Sequence, residues 1–269
     1  MKYLFEHWDR IKERIKRSRL MLFLDFDGTL APIAQTPEAA ILPAENRELL
    51  KVLATSNACT VVIVSGRALD DVKHKIGLEH ILYVGNHGLE VSELRHEPEY
   101  TFLPHFRVKL ERVREELIKR LTEIAGVVVE DKKVTVAIHY RMADTESIPR
   151  VAAIVHETVL ALDRDNEVRI APGKMVLELC PTAGCDKGAV VSWLLAKEEQ
   201  RLCGAGLYSA YIGDDRTDED AFKVLKNNGL TVFVGPPGIS QAEYYLSSTQ
   251  EVSRLLRLLV GCVGNRGEQ

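Results

Sequence analysis

The sequence predicts an α/β protein: a Rossmann-like parallel-sheet core interrupted by an inserted α/β module of order αββαββ. Three observations predict it. Short apolar runs alternate with segments of helical periodicity towards both ends of the chain. Polar and acidic clusters stand directly after several of those runs, where an open parallel sheet delivers residues to one carboxyl edge. Between residues 106 and 179 the alternation gives way to two successive units of one helix and two short apolar runs.

Taken in order, Leu4, Trp8, Ile11 and Ile15 recur at helical spacing and predict an amphipathic first helix laid on the core. A strand follows at 20–25, a helix near 43–55, a strand at 60–64, a helix near 68–76 and a strand at 81–84. That alternation implies parallel strands joined by right-handed crossovers. The apolar stretch Leu89 to Leu94 continues the sheet or forms a small ribbon. Leu110, Val113, Leu117, Leu121 and Ile124 mark the first helix of the insert, with short runs at 126–129 and 134–140 behind it. Ile148, Val151, Val155, Val159 and Leu162 mark the second, followed by a run at 168–171, a Pro172-Gly173 turn and a run at 175–179. Together they predict a four-stranded antiparallel sheet covered by two helices. The core resumes with a helix from about 186 to 196, a strand at 208–212, a helix at 218–226, a strand at 230–234 and a final amphipathic helix near 251–260. The expected domains are a split core, residues 1–105 and 180–269, around an insert, residues 106–179.

At 46% apolar and 28% charged residues, the 269-residue chain has the composition of an ordinary globular protein. A net charge of -4 with dispersed Lys and Arg leaves no electrostatic footprint for nucleic acid. No apolar run approaches the roughly 20 residues of a membrane span. The run Leu20–Leu24, behind the basic stretch Lys12 to Arg19, is shorter than the roughly 7–15 residues of a signal-peptide core. Cys59, Cys180, Cys185, Cys203 and Cys262 show no Cys-x-x-Cys spacing, which suits buried thiols in a reducing compartment. The expectation is a cytoplasmic protein with neither a nucleic-acid nor a membrane partner.

The chemistry concentrates at the run ends. Asp25 and Asp27 close the first apolar run and are followed at once by Gly28-Thr29. Carboxylates this close resist joint ionisation unless a cation or a shared proton relieves them. Ser65-Gly66-Arg67 follows the run at 60–64, Lys187 lies in Gly184-Cys185-Asp186-Lys187-Gly188, and the acidic stretch Gly213 to Asp220 follows Tyr211-Ile212. These clusters can converge on one site holding carboxylates, a hydroxyl and an ammonium. Asp25 is the candidate nucleophile, because a carboxylate can form a covalent intermediate that water then releases. Asp27 is the candidate acid and base. Ser65 and Lys187 are candidate catalytic donors to charge that develops in the reaction. Hard oxygen ligands of this kind suit magnesium.

In this order the motifs resemble the haloacid dehalogenase superfamily. Within it, Asp-Phe-Asp-Gly-Thr-Leu-Ala-Pro-Ile (25–33), Asn86-His87-Gly88, His139-Tyr140-Arg141, Gly173-Lys174 with Glu178, and Gly-Asp-Asp-Arg-Thr-Asp-Glu-Asp-Ala-Phe (213–222) resemble the trehalose-phosphatase family. The resemblance implies a haloacid dehalogenase core with the insert as its cap domain. It implies Mg2+-dependent hydrolysis of trehalose 6-phosphate through an aspartyl phosphate. It implies a metal held by the Asp25 side chain, the Asp27 backbone carbonyl and the Asp214 side chain, with Asp215 and Asp218 orienting the site from behind. Asp218 reads equally as an acid at a helix start. Glu130, Lys174 and Glu178 are implied to read glucose hydroxyls, with Arg141 a further candidate, against the alternative of a solvated outer face. On the core, substrate contact is expected of Thr29, Gly66, Arg67, Asn86 and His87. Alternatives stay open at three of these: Thr29 can cap the Gly28 turn, Arg67 can form a helix-start salt bridge, and His87 can stabilise its loop. Functional pairing with a trehalose-6-phosphate synthase also goes with the resemblance. Two other readings remain: a phosphatase for another sugar phosphate (sucrose 6-phosphate, mannosyl-3-phosphoglycerate or a glucosylglycerol phosphate), or a non-catalytic sugar-phosphate-binding or synthase-partner domain.

Overall fold

In chain order the first elements are β1 (Lys2–Tyr3), α1 (Trp8–Arg17), β2 (Arg19–Leu24), α2 (Ala44–Thr55), β3 (Cys59–Val64), α3 (Leu69–Ile76), β4 (Leu82–Gly85) and β5 (Glu90–Val91). There follow β6 (Tyr100–Thr101), α4 (Phe106–Leu121), β7 (Val128–Asp131), β8 (Val136–His139), α5 (Ile148–Leu162), β9 (Val168–Gly173) and β10 (Val176–Pro181). The last are α6 (Lys187–Leu202), β11 (Leu207–Gly213), α7 (Glu219–Leu225), β12 (Leu230–Val234), β13 (Tyr244–Leu246) and α8 (Thr249–Val263). The structure is a computed structural model, and it describes residues 1–92, 100–101, 106–173, 175–182, 186–202 and 206–263. The chain divides into two units, Met1–Glu99 with Asp186–Gln269, and Tyr100–Cys185.

The strands of the first unit lie in the order β1-β13-β12-β11-β2-β3-β4-β5, all parallel except β5, which runs antiparallel to β4. Strand β2 is central and apolar along its length because both of its faces are covered. Leu20, Leu22 and Leu24 join a core with Ile11 and Ile15 of α1, Leu50 of α2, Val72 of α3 and Leu255 of α8. On the other face Phe23 stacks on Tyr211 at 6.2 Å, and Tyr211 meets Phe222 of α7 edge-on. Register decides where the chemistry goes. Leu24 pairs with Ile63 and with Ile212, and Val64 pairs with Val84. Asp25, Ser65, Asn86 and Asp214 therefore leave the sheet at the same carboxyl edge.

Among the described residues three short strands escape the sequence pattern: β1, β6 and β13. β1 and β13 pair in parallel at the sheet edge, but with two and three residues they are too short for any periodicity to declare them. The stretch from Leu89 yields β5 at Glu90–Val91, and its residues 93 and 94 lie outside the described residues. Cys59, Cys180 and Cys262 are buried thiols, as the cysteine pattern suggests. Among the described residues no helix is long and apolar enough to cross a membrane.

The second unit has a four-stranded sheet of order β7-β8-β10-β9, antiparallel at every pairing. Val136, Ile138, Leu177 and Leu179 face α4 and α5 and pack with Leu110, Val113, Val151 and Val155. The Pro172-Gly173 turn expected from sequence is not where the chain reverses. Both residues belong to β9, an edge strand where a missing N–H is tolerated, and Met175 just beyond takes the left-handed φ of +64°.

Candidate active site

Asp25 stands one residue past β2, and its N–H continues the sheet ladder to the Ile212 carbonyl at 3.0 Å. Its side chain is buried and accepts from Lys187, whose Nζ lies 2.7 Å from Asp25 Oδ1 and 2.7 Å from Asp218 Oδ1. Lys187 begins α6, and Asp186 just before it accepts the Ala189 N–H at 2.6 Å, which fixes the helix start. Asp218 is fully buried and heavily bonded: Tyr211 Oη donates to Oδ1 at 2.7 Å and the Asp215 N–H to Oδ2 at 2.9 Å. Asp215 is an exposed residue that caps the short turn carrying Asp218. Asp214 lies directly over Gly28. A Cβ at position 28 would sit 2.0 Å from Asp214 Oδ2, and φ at Gly28 is +83°, so only glycine serves there. Thr29 Oγ1 donates to Asp214 Oδ1 at 3.2 Å, so in this structure its hydroxyl steadies a carboxylate.

Asp27 is gripped by Arg67, Nε to Oδ2 at 2.6 Å and Nη2 to Oδ1 at 2.7 Å. Arg67 also reaches Asp71 of α3, Nη1 to Oδ2 at 2.8 Å, so a salt bridge at that helix start is present. Ser65 is buried, and its Oγ accepts the Arg67 N–H at 3.1 Å, which leaves the hydroxyl proton as a donor. The next loop is knitted to this one, His87 N–H to the Ser65 carbonyl at 3.0 Å and Asn86 N–H to the Arg67 carbonyl at 2.7 Å. Asn86 and His87 both take positive φ, and the His87 ring covers Gly66 so closely that a Cβ there would meet Cε1 at 2.4 Å. Buried Glu90 accepts from Asn86 Nδ2 at 2.6 Å, so a carboxylate braces the loop. Sequence reasoning passed over Glu90 and the Tyr211 hydroxyl. Nothing local marks either one, because both act on residues that only folding brings near.

Burial, then the neighbouring Asp218 and Asp214, drive the Asp25 carboxyl well above its ordinary range, against the pull of Lys187. Burial opposes the Lys187 ammonium, yet Asp25 and Asp218 outweigh it and hold the amine protonated. Burial, then Asp218, pushes Asp214 up to about 6. Asp25, Asp214 and Asp218 each offer an oxygen within 4.8 Å of the others. Lys187 pairs with two of the three carboxyls and, among the described residues, Asp214 has no cation on it, so the all-oxygen donor set suits a hard divalent cation that displaces the protons its members hold. Asp218 gives both its oxygens to protein donors, whereas Asp25 and Asp214 are better placed to hold the ion.

In the second unit, Glu130 and Glu178 both pair with Ala137, from either side, and so stand in one row on the sheet face opposite the helices, about 10 Å apart. Glu130 Oε2 lies 2.8 Å from His139 Nε2. Glu178 Oε1 accepts from Thr135 Oγ1 at 2.9 Å and from Lys132 Nζ at 3.2 Å. Arg141 lies in the exposed turn beyond β8, and Lys174 lies outside the described residues.

Residues 23–250 match the family model described as Trehalose-phosphatase. The chain is 33% identical over 269 residues to trehalose-phosphate phosphatase B of Arabidopsis thaliana, covering 94% of this chain and 69% of that protein. It is 37% identical over 222 residues to the trehalose-phosphate phosphatase of Mycobacterium ulcerans, covering 80% of this chain and 54% of that protein. Among solved structures, the C-terminal domain of C. albicans trehalose-6-phosphate phosphatase superposes with a TM-score of 0.76 at 26% identity, covering 95% of this chain and 97% of that one. The family match runs unbroken from before Asp25 to beyond Asp218, and with relatives above 30% identity across most of its length the chain belongs to the trehalose-phosphatase family.

Proposed function

We propose that this phosphatase hydrolyses trehalose 6-phosphate to trehalose and phosphate through an aspartyl phosphate on Asp25. The observation that carries the reading is the buried Asp25–Lys187 contact of 2.7 Å at a carboxyl edge shared with Asp27, Ser65 and Asp214. Lys187 holds one oxygen of Asp25 and neutralises charge as the other attacks phosphorus. Asp27 gives a proton to the departing sugar oxygen and later takes one from water. Ser65 supplies a hydroxyl donor to the phosphoryl group. Magnesium suits the donors of Asp25, Asp214 and the Asp27 carbonyl, and when bound it supplies positive charge to the transferring group. Residues 106–179 act as the domain that reads the sugar. A cytoplasmic location and pairing with a trehalose-6-phosphate synthase go with this reading, and co-purification of synthase activity tests the pairing. The deciding experiment is a phosphate-release panel. Trehalose 6-phosphate should lead it, and faster release from sucrose 6-phosphate or mannosyl-3-phosphoglycerate would overturn the choice of substrate.

Glu130 and Glu178 are proposed to bind sugar hydroxyls. Replacing either by Ala removes a charge-assisted hydrogen bond worth about 1.5–3 kcal/mol, or roughly 10- to 150-fold in kcat/KM for trehalose 6-phosphate. Hydrolysis of a small aryl phosphate should change little. Equal losses on both substrates would mean that the glutamates hold their own domain together instead.

Metal binding should depend on pH through Asp214. Its folded pKa of about 6 stands above the unfolded value near 3.9, so the metal-free protein gains stability from this group at low pH and loses it as pH rises through about 6. A cation needs the carboxylate and competes with that proton. Magnesium should therefore raise the melting temperature at pH 7.5 and do so far less at pH 5.5. An equal rise at both values would exclude Asp214 as a ligand.

A further inference from the structure

The Arg67 guanidinium is fixed on more sides than an ion pair requires. Besides its two bonds to Asp27, Nη1 donates to Asp71 Oδ2 at 2.8 Å and Nη2 to the Pro37 carbonyl at 2.8 Å. Its carbon lies 5.4 Å from the centre of the Phe26 ring. The Pro37 segment is itself pinned to α3, because Lys75 Nζ donates to the carbonyls of Glu38 and Ala40 at 3.1 and 3.2 Å. The Arg67 side chain is 10% exposed and that of Asp27 40%. The arginine is the rigid member, and the carboxylate is the member it aims.

We propose that Arg67 is a positioning residue for Asp27, and that it serves the water step by keeping the carboxylate set to take a proton. The proposal rests on the phosphatase reading above and deepens it. A carboxylate offers about four lone-pair sites, and a forked pair uses one on each oxygen. The sites that remain can accept from water. A proton taken up on one of those sites weakens the fork, because a neutral carboxyl accepts from a guanidinium less strongly than a carboxylate does. In the water step, the water oxygen bonds to phosphorus as the bond from phosphorus to Asp25 breaks. Asp25 departs as a carboxylate, and the proton of the water passes to Asp27. Protonated Asp27 then gives the proton it took from water to the departing oxygen of the next substrate, which closes the cycle. The guanidinium does not make Asp27 a stronger base; it fixes where the remaining lone pairs point, so its loss falls on phosphoenzyme hydrolysis, the step in which Asp27 must meet a water.

The test is rapid-quench kinetics on Arg67→Gln and Arg67→Lys with p-nitrophenyl phosphate, whose leaving group hardly needs a proton. Phosphoenzyme formation should stay within about 3-fold of wild type, while its hydrolysis slows roughly 10- to 100-fold. A burst of nitrophenol should then precede the steady state. Lysine should rescue poorly, because a point charge cannot grip both oxygens. Arg67→Gln added to Asp27→Asn should slow hydrolysis no further than Asp27→Asn alone. Asp71→Asn loosens the fork without touching Asp27 and should slow the same step about 3- to 10-fold, which keeps the test open if Arg67 variants fold badly. A raised KM with slowed phosphoenzyme formation and normal hydrolysis would make Arg67 a substrate anchor and overturn the proposal. Equal slowing of both steps would overturn it too. Wild-type protein that forms no phosphoenzyme at all would overturn the covalent reading, and this inference with it.

Discussion

Asp25→Asn should lose phosphate release by roughly 10⁴-fold or more, the scale reached when a covalent nucleophile is removed. The fold should survive intact. An amide fills the same space, and Lys187 keeps its bond to Asp218. Burial and two neighbouring carboxylates already disfavour the ionised form of Asp25, so a neutral side chain removes strain from the metal-free protein. The melting temperature should equal or exceed that of wild type in a magnesium-free buffer. Near-normal release by folded Asp25→Asn would end the aspartyl-phosphate mechanism, and a sharply lowered melting temperature would mean that Asp25 is needed for the fold.

Lys187→Met should be the second most damaging change, for a different reason. It leaves Asp25 and Asp218 buried without their shared ammonium, and breaking a buried pair costs about 3–5 kcal/mol. Turnover should fall about 10²- to 10³-fold, as when one donor to developing charge is removed. The instability should depend on pH with a definite sign. Asp25 has a raised pKa, so acid neutralises it, and the difference in urea midpoint from wild type should be larger at pH 8 than at pH 5.5. Adding Asp25→Asn should recover part of the stability and none of the activity. A stability difference independent of pH would show that the lysine acts through packing alone.

Much of the fold was legible because its signals are local. The five-residue run before Asp25 reads as a strand covered on both faces, and β2 is one. The repeated helix-strand-strand order of residues 106–179 reads as a four-stranded antiparallel sheet under two helices, and the second unit has that sheet. The polar clusters at run ends named positions without naming partners. That Arg67 faces Asp27, that Thr29 faces Asp214, and that Tyr211 turns its hydroxyl on Asp218 follow from register and from contacts between distant segments. The edge strand β1 and its neighbour β13 stayed hidden because parallel pairing of two residues with three leaves no trace in a periodicity. In the second unit, alternation put Glu130 and Glu178 on some face of a sheet, but only their shared partner Ala137 puts them in one row.

The contact between Asp25 and Lys187 spans 162 residues of chain, and the whole second unit is encoded between them. A ribosome adding about 5–20 residues each second therefore needs roughly 8 to 32 seconds after making the aspartate before it makes the lysine. Throughout that interval β2 also lacks β11, its parallel neighbour on one side, and an apolar strand with an open edge invites wrong pairing. A nascent chain is thus expected to be catalytically silent and open to wrong pairing until residues 187–213 emerge. Chaperone demand should track the time elongation takes from β2 to β11, and slower translation of the residues between them should lower the yield of active protein without altering the kinetics of the molecules that succeed.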